Sequence, residues 1–582
     1  MTNRTAASYT LSESPTPSPN ATSWTNIGGA DVALVAGMVA VFVFLLFRSI
    51  GLHPSIFADE WIYSMGSRLT KLRSATLPLY IYFLVFRLTK HCGSEFLECA
   101  RVLNDIFFVA GAPFIYLVAR KVTSEPIAVL VTMLSLLGPI NTYTAYFMPE
   151  AMYFFVFWLL TWVALNFRQV RPSYYGIAIG TLLSTLMLVK VNAIFLLPGL
   201  AGFVVWSNVR DKSSQSLRTS IVTLSYMIVA VVVVRLGIGY VCAGTAGLDV
   251  LGTRYGSLAV SSLTLARLSQ MTSQMFGVLR GHAMSLAVLC GVPLASIITI
   301  IFQGDSNAEG DEALRSIASY SFALTLPLVV AVAYFTASVI GESPYESLAR
   351  LHMRYYNFIF PLFLIVVAGQ LSTRGGRRNS YVVRLSALVL AALILYSLRL
   401  LLRLYSPSLI DCPELHGVTA GRVVFYVVGI VGILSIVVWA VEQRRGAQLF
   451  LFVFMPISVL CSATTGNSEL RRRLAADVCD RAGVFARDVL DKNERSKLVV
   501  VGSELASLYR VLFYVDDPRT ALLAIAPGAP LDRSAIQSDR EWVLLLGDHS
   551  LPADAEDQTA EDGYVLFRLP LKSPNDQPGS IR

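Results

Sequence analysis

Long apolar runs separated by short polar segments fill most of this 582-residue chain. About thirteen of them are roughly 17 to 25 residues long, enough for a helix to cross a hydrocarbon core about 30 Å thick. The first run lies too far from the start of the chain to be a signal peptide. It also lacks the small-residue cleavage site that ends such a peptide. The pattern predicts a polytopic α-helical membrane domain over residues 31–465. The runs lie near residues 32–47, 102–120, 127–147, 150–167, 173–189, 191–207, 219–240, 284–303, 316–340, 355–371, 383–404, 421–441 and 448–465.

One further apolar run, residues 77–86, is too short to cross a bilayer. It contains a proline and two tyrosines, and such aromatic residues favour the membrane interface. We therefore predict a juxtamembrane or re-entrant helix within a first outer loop over residues 51–101.

The two ends of the chain have a different pattern. Residues 1–30 are rich in Ser, Thr, Pro and Asn, which predicts a disordered tail. Residues 466–582 begin with a charged helical stretch and continue with four short apolar runs bounded by Gly, Pro and Asp, which predicts a small soluble α/β domain. The predicted strands lie near residues 497–502, 521–525, 542–546 and 564–568. Neither a GxGxxG nor a Walker pattern accompanies them, so we predict no nucleotide site.

Composition agrees with a membrane protein. Hydrophobic residues make up 54% of the chain and charged residues 15%, and the mean hydropathy is +0.59. The net charge of +8 is spread over short loops rather than gathered in a patch, so we predict no nucleic-acid partner. The seven cysteines show no zinc spacing, and we predict no metal site from them. Cys92 and Cys99 could pair if their loop is extracytoplasmic, or they could be unpaired small apolar residues.

Basic residues in the short loops predict the orientation. If residues 77–86 do not cross, most of these residues fall on one side, which the positive-inside rule makes the cytoplasm. The N-terminus is then cytoplasmic and residues 466–582 are extracytoplasmic. The residues counted are Arg120, Lys121, Arg168, Arg171, Arg210, Lys212, Arg374, Arg377, Arg378, Arg444 and Arg445. The acidic loop 304–315 fits this side poorly, although acidic residues count little in the rule.

Ionisable residues on the opposite side supply candidate chemistry. Asp59 and Glu60 follow the first predicted helix, Glu150 begins the fourth, and Lys190 and Arg354 lie in later outer segments. Charges beside a bilayer are costly and mark functional sites. A partly desolvated carboxylate can remove the proton from an acceptor hydroxyl, and we assign that role to Asp59. Lys190 and Arg354 could bind a departing phosphate.

Each of these residues also has a structural explanation. The acidic pair could simply be solvated, and Glu150 could favour a helix dipole without doing chemistry. Lys190 could be a snorkelling side chain and Arg354 an interfacial anchor. His352 has no second histidine at metal spacing and is more typical of a structural or solvated residue. Glu60 is expected to orient the loop or to contact a basic neighbour such as Arg68.

The order of these motifs resembles the GT-C superfamily of membrane glycosyltransferases, and within it the branch of protein O-mannosyltransferases and the lipid A aminoarabinose transferase. The resemblance covers roughly residues 32–372. An acidic pair follows the first helix, a second acid lies in the next outer loop, a Lys-x-x-Ala pattern follows, and an Arg-Tyr pair precedes a proline-containing helix. This chain departs from the usual pattern in having Glu rather than Asp at position 150 and one proline, Pro78, in the juxtamembrane segment. The matching residues are Asp59, Glu60, Tyr80, Arg101, Glu150, Lys190, Ala193, Arg354 and Tyr355.

The resemblance implies an inverting glycosyltransferase in a bacterial inner membrane, with a polyprenyl-phosphate sugar as donor and a glycan, lipid or protein as acceptor. Asp59, Glu60 and Glu150 would form the catalytic group. Lys190, Arg354, His352 and Tyr355 would bind the donor phosphate, while Arg68, Tyr80 and Arg101 are candidate substrate contacts. No cofactor is required, and a divalent metal occurs in parts of the family. The sugar and the acceptor are not fixed by any motif.

Two other classes of function would also account for charges in a helical membrane protein. A transporter or flippase of lipid-linked sugars is the first, although such proteins tend to contain internal repeats and the sequence shows none. A membrane scaffold whose C-terminal domain is the functional part is the second. Loss of sugar transfer on replacing Asp59 would separate the transferase from both.

Overall fold

The computed structural model describes residues 28–56, 58–210, 215–252, 265–302, 309–341, 346–372 and 380–570. The predicted tail up to residue 27, the cations Lys212, Arg374, Arg377 and Arg378, and residues 304–308 of the acidic loop lie outside these residues. Within them the chain folds into a helical bundle followed by a small α/β unit.

Eighteen α-helices form the part up to Arg471, counted over the described ranges. They are α1 Gly29–Ser49, α2 Ala58–Arg68, α3 Tyr80–Phe86, α4 Phe96–Ala110, α5 Ala112–Ala119, α6 Glu125–Leu137, α7 Glu150–Asn166, α8 Pro172–Val189, α9 Leu196–Arg210, α10 Ser216–Ala243, α11 Leu265–Ile301, α12 Glu309–Val339, α13 Phe360–Ser372, α14 Ser380–Leu404, α15 Pro413–Thr419, α16 Arg422–Val441, α17 Gln443–Leu449 and α18 Met455–Arg471. Short 3-10 helices lie between several of them, among them Pro139–Ala145, Val191–Phe195 and Met353–Tyr355.

The helices reproduce the apolar runs of the sequence. Among the described residues, ten helices are long and apolar enough to cross a membrane, and a bent pair, Glu125–Leu137 with Pro139–Ala145, makes up to eleven. Two shorter apolar helices, Glu150–Asn166 and Asn357–Ser372, account for the remaining predicted runs. The predicted fold class, a polytopic helical protein with a small C-terminal α/β part, is therefore confirmed.

The short run before the second predicted span forms α3. This helix has seven residues, Tyr80–Phe86, and its Tyr82 and Phe83 are buried against the bundle. Seven residues make a helix about 10 Å long, which cannot cross a hydrocarbon core by itself. A disulfide between Cys92 and Cys99 closes the segment that leads on to α4.

Two of the cations predicted to be cytoplasmic, Lys121 and Arg168, lie at the end of the bundle opposite Glu150. Lys121 Nζ donates to the carbonyl of Leu165 at 2.9 Å, near the end of α7, and an Nη of Arg168 donates to Ser316 Oγ at 3.1 Å. Glu150 is the first residue of the same helix α7, whose 17 residues extend about 25 Å. The two groups of charges are therefore separated by the length of one helix.

The part beyond Arg471 contains a mixed sheet. Its strands are β1 Leu498–Gly502, β2 Ala521–Ala524, β3 Trp542–Leu546, β4 Glu556–Glu561 and β5 Tyr564–Arg568, in the order β2-β1-β3-β5-β4. Strand β1 pairs in parallel with β2 and β3, while β5 pairs antiparallel with β3 and β4. The helices of this unit are α19 Val478–Val489, α20 Lys492–Ser496 and α21 Leu505–Val515. Strand β4 is absent from the sequence prediction, and the other four strands were predicted.

Candidate functional site

Two ion pairs meet beside Tyr355. An Nη of Arg354 donates to Asp59 Oδ2 at 3.1 Å, and Lys190 Nζ donates to Glu150 Oε1 at 2.8 Å. The same nitrogen of Arg354 lies 3.2 Å from the Tyr355 hydroxyl, and Lys190 Nζ is 4.9 Å from the centre of the Tyr355 ring. The structure thus brings together five residues that the sequence singled out, from four separate parts of the chain.

Local backbone structure places each of these side chains. Asp59 lies in the first turn of α2 and Glu150 begins α7, where a helix N-terminus favours a negative charge. Lys190 lies at a break between α8 and the next 3-10 helix, with an extended backbone (φ −152°, ψ 121°). Arg354 lies in the 3-10 helix Met353–Tyr355. Helix ends and breaks therefore carry all the charges of the site.

Exposure distinguishes the two acids of the ion pairs. The side chains of Glu150, Lys190 and Arg354 are each less than a tenth exposed, whereas that of Asp59 is 24% exposed. Asp59 is thus the carboxylate that a molecule from solution can reach. The other three charges are already desolvated, which strengthens electrostatic interactions inside the site.

Asp411 lies behind Arg354 and was not predicted. Its Oδ1 is 3.5 Å from Arg354 Nε, its Oδ2 accepts from Arg350 Nε at 2.6 Å, and its carbonyl accepts the backbone N–H of Arg354 at 2.7 Å. Burial alone would raise the pKa of Asp411, but Arg354, His352 and Arg350 lower it to about 2. Asp411 is therefore a fixed negative charge that holds Arg354 in place.

Arg354 remains a cation despite its burial. Burial alone would lower the pKa of its guanidinium, but Tyr355, Asp59, Asp411 and Glu150 raise it well above the usual value. Three carboxylates thus surround Arg354, and Lys190 supplies a second positive charge nearby. An incoming anion must compete with these carboxylates for the two cations.

His352 lies at the edge of this cluster. Its Nδ1 is 3.0 Å from Thr336 Oγ1 and its Nε2 is 3.4 Å from Glu346 Oε2. Glu346 in turn accepts from Arg350 at 2.8 Å. His352 therefore contacts the group that supports Asp411 rather than the two ion pairs beside Tyr355.

Glu60 faces the protein interior. It is fully buried, and its Oε1 accepts the backbone N–H of Phe147 at 2.9 Å. Burial is the main cause that raises the pKa of Glu60 to about 7. This carboxyl ties α2 to the segment before α7, and the orienting and catalytic roles of Glu60 stay predictions.

The three candidate substrate contacts lie in other packed regions. Arg68 pairs with Asp516 of the α/β unit, at 2.5 Å, rather than with Glu60. The ring of Tyr80 lies under the guanidinium of Arg235, 5.9 Å away. Arg101 donates to the carbonyls of Ala145 and Ser49 at 3.0 and 3.3 Å. These contacts join parts of the scaffold, and the proposed substrate roles remain predictions.

An apolar cavity is lined in part by Asn357, which follows Arg354 by three positions. Asn357 Nδ2 donates to Glu414 Oε1 at 3.0 Å, and both residues line the cavity. Burial raises the pKa of Glu414 to about 7. The remaining lining is largely apolar and includes Pro361, Phe450 and Phe454.

In the described part of the chain, no three His, Cys, Asp or Glu side chains form a group that could hold a metal ion. The acidic residues of the site instead contact Lys and Arg side chains. Metal dependence stays a prediction.

Comparison with known proteins gives similarities to solved structures at low sequence identity. No family model and no curated protein matches the sequence. Among solved structures, the chain is similar to ArnT from Cupriavidus metallidurans bound to undecaprenyl phosphate, with 13% identity, a TM-score of 0.49, and coverage of 92% of this chain and 97% of ArnT. It is also similar to the Archaeoglobus fulgidus oligosaccharyltransferase in the apo form, with 12% identity, a TM-score of 0.39, and coverage of 87% and 69%.

Proposed function

We propose that this protein is a membrane glycosyltransferase that uses a polyprenyl-phosphate sugar as donor and acts on an extracytoplasmic glycan, lipid or protein. The observation that carries the proposal is the pair of cations, Lys190 and Arg354, held next to Asp59, the most exposed carboxylate of the site. Cations that could bind a leaving phosphate and a base that could serve an acceptor are the two requirements of this reaction.

The reaction follows from these roles. Asp59 takes the proton of an acceptor hydroxyl as its oxygen attacks the anomeric carbon. The bond between that carbon and the phosphate oxygen breaks, and polyprenyl phosphate leaves with inversion at the sugar. Arg354 binds phosphate oxygens through its planar guanidinium, and Lys190 acts as a point charge. Binding of the phosphate to Arg354 would release Asp59 from its ion pair at the moment when a base is needed.

Glu150 and Tyr355 support these cations. Glu150 neutralises the charge of Lys190 when no phosphate is bound. Tyr355 contacts both Lys190 and Arg354 and so holds the two cations next to each other. No step needs a cofactor.

The proposed orientation places the site on the outer face of a bacterial plasma membrane. The basic ends near Lys121 and Arg168 would be cytoplasmic. A disulfide between Cys92 and Cys99 is supporting evidence, because disulfides persist in oxidising compartments outside the cytoplasm.

Replacement of Asp59 by Asn tests the proposal. General-base catalysis contributes about 10²- to 10⁴-fold, so transfer should fall at least about 100-fold. The assay uses purified protein in membrane vesicles with a panel of radiolabelled undecaprenyl-phosphate pentoses and hexoses, and measures label transferred to the acceptors of the vesicles. Binding of undecaprenyl phosphate, measured by native mass spectrometry, should persist in D59N and weaken in K190M and R354M.

The matched control is Asp539→Asn, which changes an exposed aspartate of the α/β unit. It should keep the wild-type rate. Full transfer activity in D59N, with the wild type active, would rule out Asp59 as the base.

A further inference from the structure

The α/β unit packs directly on the helix that carries Asp59. Its helix α21 lies against α2, and Asp516, at the end of α21, accepts two hydrogen bonds from Arg68, at the end of α2. The distances are 2.5 Å to Oδ1 and 3.2 Å to Oδ2. Arg68 is 4% exposed. A bidentate pair of this kind fixes both the position and the orientation of a guanidinium.

Aromatic contacts extend this junction. The guanidinium of Arg68 lies 3.4 Å from the centre of the Phe96 ring, which is itself 5.1 Å from the ring of Phe513 in α21. Arg68 therefore lies between a carboxylate of the α/β unit and an aromatic ring of the bundle. Its nearest alternative partner is Ser64 Oγ at 2.8 Å, within the same helix.

The segment that leads into α2 is also held by the α/β unit. His53 Nδ1 lies 2.6 Å from the hydroxyl of Tyr514, and an Nη of Arg473 donates to the carbonyl of Pro54 at 2.8 Å. Arg473 also pairs with Asp480 of α19 at 2.8 Å. Contacts with the C-terminal unit thus lie before α2 and at its end.

Helix geometry places these contacts away from the catalytic face. Asp59 and Arg68 are nine residues apart, which is about 14 Å along the axis and half a turn around it. One side of α2 therefore presents Asp59 to Arg354 while the other side is bound by Asp516. A tilt of α2 at Arg68 would move Asp59 relative to Arg354 and Tyr355.

The backbone of Asp516 supports a specific role for its side chain. Asp516 has φ 58° and ψ 36°, the left-handed conformation that few residues other than Gly, Asn and Asp adopt readily. Its N–H donates to the carbonyl of Leu512 at 3.0 Å. The left-handed turn that ends α21 thus directs this carboxylate toward Arg68.

We infer that the α/β unit is a positioning element for the catalytic base, and that the Arg68–Asp516 pair holds α2 so that Asp59 faces Arg354. Arg68 and Asp516 are positioning residues that act through α2. The inference rests on the proposed function, since it gives Asp59 the role of base. It assigns a role in the transfer reaction to residues 478–568.

The test uses the full-length protein with Asp516→Ala. Amide hydrogen exchange across residues 58–68 should rise at least tenfold, because α2 loses its distal anchor. The kcat for transfer should fall about tenfold while the donor KM stays within twofold, since Lys190 keeps its contact with Glu150 and Arg354 keeps its contacts with Asp411. The matched control is Asp539→Ala, at an exposed aspartate of the same unit. It should leave the amide exchange of α2, the kcat and the donor KM unchanged.

A conservative variant distinguishes a positioning role of Asp516 from general destabilisation of the protein. Asp516→Asn keeps one acceptor of the pair and should give an intermediate kcat at an unchanged thermal midpoint. If D516A does not fold, Arg68→Lys decides, because lysine keeps the charge but cannot form the two-bonded pair. Unchanged exchange in the folded variant, or increased exchange with unchanged kcat, would overturn the inference.

Failure of the proposed function would give a different result. If Asp59→Asn retained the wild-type rate, Asp59 would not be the base, whatever Asp516→Ala did to the exchange of α2. The exchange measurement does not depend on turnover and still decides whether Asp516 anchors α2.

Discussion

Burial separates two adjacent acids that look equivalent in the sequence. Asp59 has a partly exposed side chain paired with Arg354, whereas Glu60 is fully buried and accepts a backbone N–H. Consecutive helical residues point about 100° apart, so one acid can face a site while the next faces a core. The sequence predicted Asp59 as the base and an orienting role for Glu60. It could not predict the partner of Glu60, because that partner is a backbone N–H, which every residue except proline has.

The pKa of Glu60 gives a prediction for stability against pH. Because its folded pKa is raised from 4.5 to about 7, the stabilisation of the protonated carboxyl is complete below about pH 4.5 and is lost as the pH rises through 7. Glu60→Gln removes this dependence and keeps an acceptor for Phe147. Between pH 5 and 8 the wild type should lose up to about 3 kcal/mol relative to the variant.

Thermal unfolding in detergent at several pH values measures this difference. Glu95→Gln, at an exposed position, is the control and should follow the wild type. Parallel curves for the wild type and E60Q would contradict a raised pKa at Glu60.

Asp411 shows which part of the site could have been found from the sequence. It lies in the loop after α14, which the same count of basic loops assigns to the side of Asp59. Asp411 could therefore have been included among the candidate site residues from the sequence alone. Its contact with Arg354 could not be predicted, because the two residues approach only when α13, α14 and α15 pack.

At the scale of elements, α2 is packed tightly on the bundle side. A Cβ added to Gly66 would lie 2.7 Å from the ring of Phe83 in α3. Phe83 is itself buried, so the ring has little room to move. The short helix α3 thus packs closely against α2 and leaves no room for a larger side chain at position 66.

Gly66→Ala should therefore be destabilising even though alanine is the better helix former. Overpacking of a core costs about 1–3 kcal/mol, which exceeds the gain of about 1 kcal/mol from helix propensity. The control is Gly202→Ala in α9, where the added Cβ meets no atom within 4 Å. A thermal midpoint of G66A equal to that of G202A would show that α2 and α3 are not in close contact.

Strand β4 shows why one element escaped prediction. Its residues, Glu556–Glu561, are polar apart from one alanine and exposed throughout. An edge strand paired by backbone hydrogen bonds needs no buried face, so it leaves no alternation of apolar residues. The other four strands contain apolar residues that pack in the sheet, and the sequence predicted them. The acidic side chains of β4 protect the sheet edge against pairing with another chain.

At the scale of the whole molecule, charge is divided between the two ends of the helical bundle. The group of Asp59, Glu150, Lys190, Arg354 and Asp411 lies at one end. Lys121 and Arg168, two of the cations predicted to be cytoplasmic, lie at the other end. Hydrophobic length and basic loops are sufficient to predict this division, because the bilayer imposes both.

Cysteine labelling tests the orientation of the bundle. The five free cysteines are first replaced, and single cysteines are introduced by Lys71→Cys and Val170→Cys, both at exposed positions. A membrane-impermeant maleimide should label the first variant in intact cells and the second only after permeabilisation. The reverse pattern would place the site on the cytoplasmic face and remove the support for an extracytoplasmic acceptor.

The pairing of Arg68 with Asp516 also has a consequence for the time at which the site is completed. The two residues are separated by 448 positions, and chains are synthesised at about 5–20 residues per second. The helix that carries Asp59 therefore waits roughly 20 to 90 s before the carboxylate that holds it has been made. The proposed positioning role of Asp516 therefore implies a period in which the membrane helices have been made and Asp59 is not yet held, and transfer should begin only when the last part of the chain has folded.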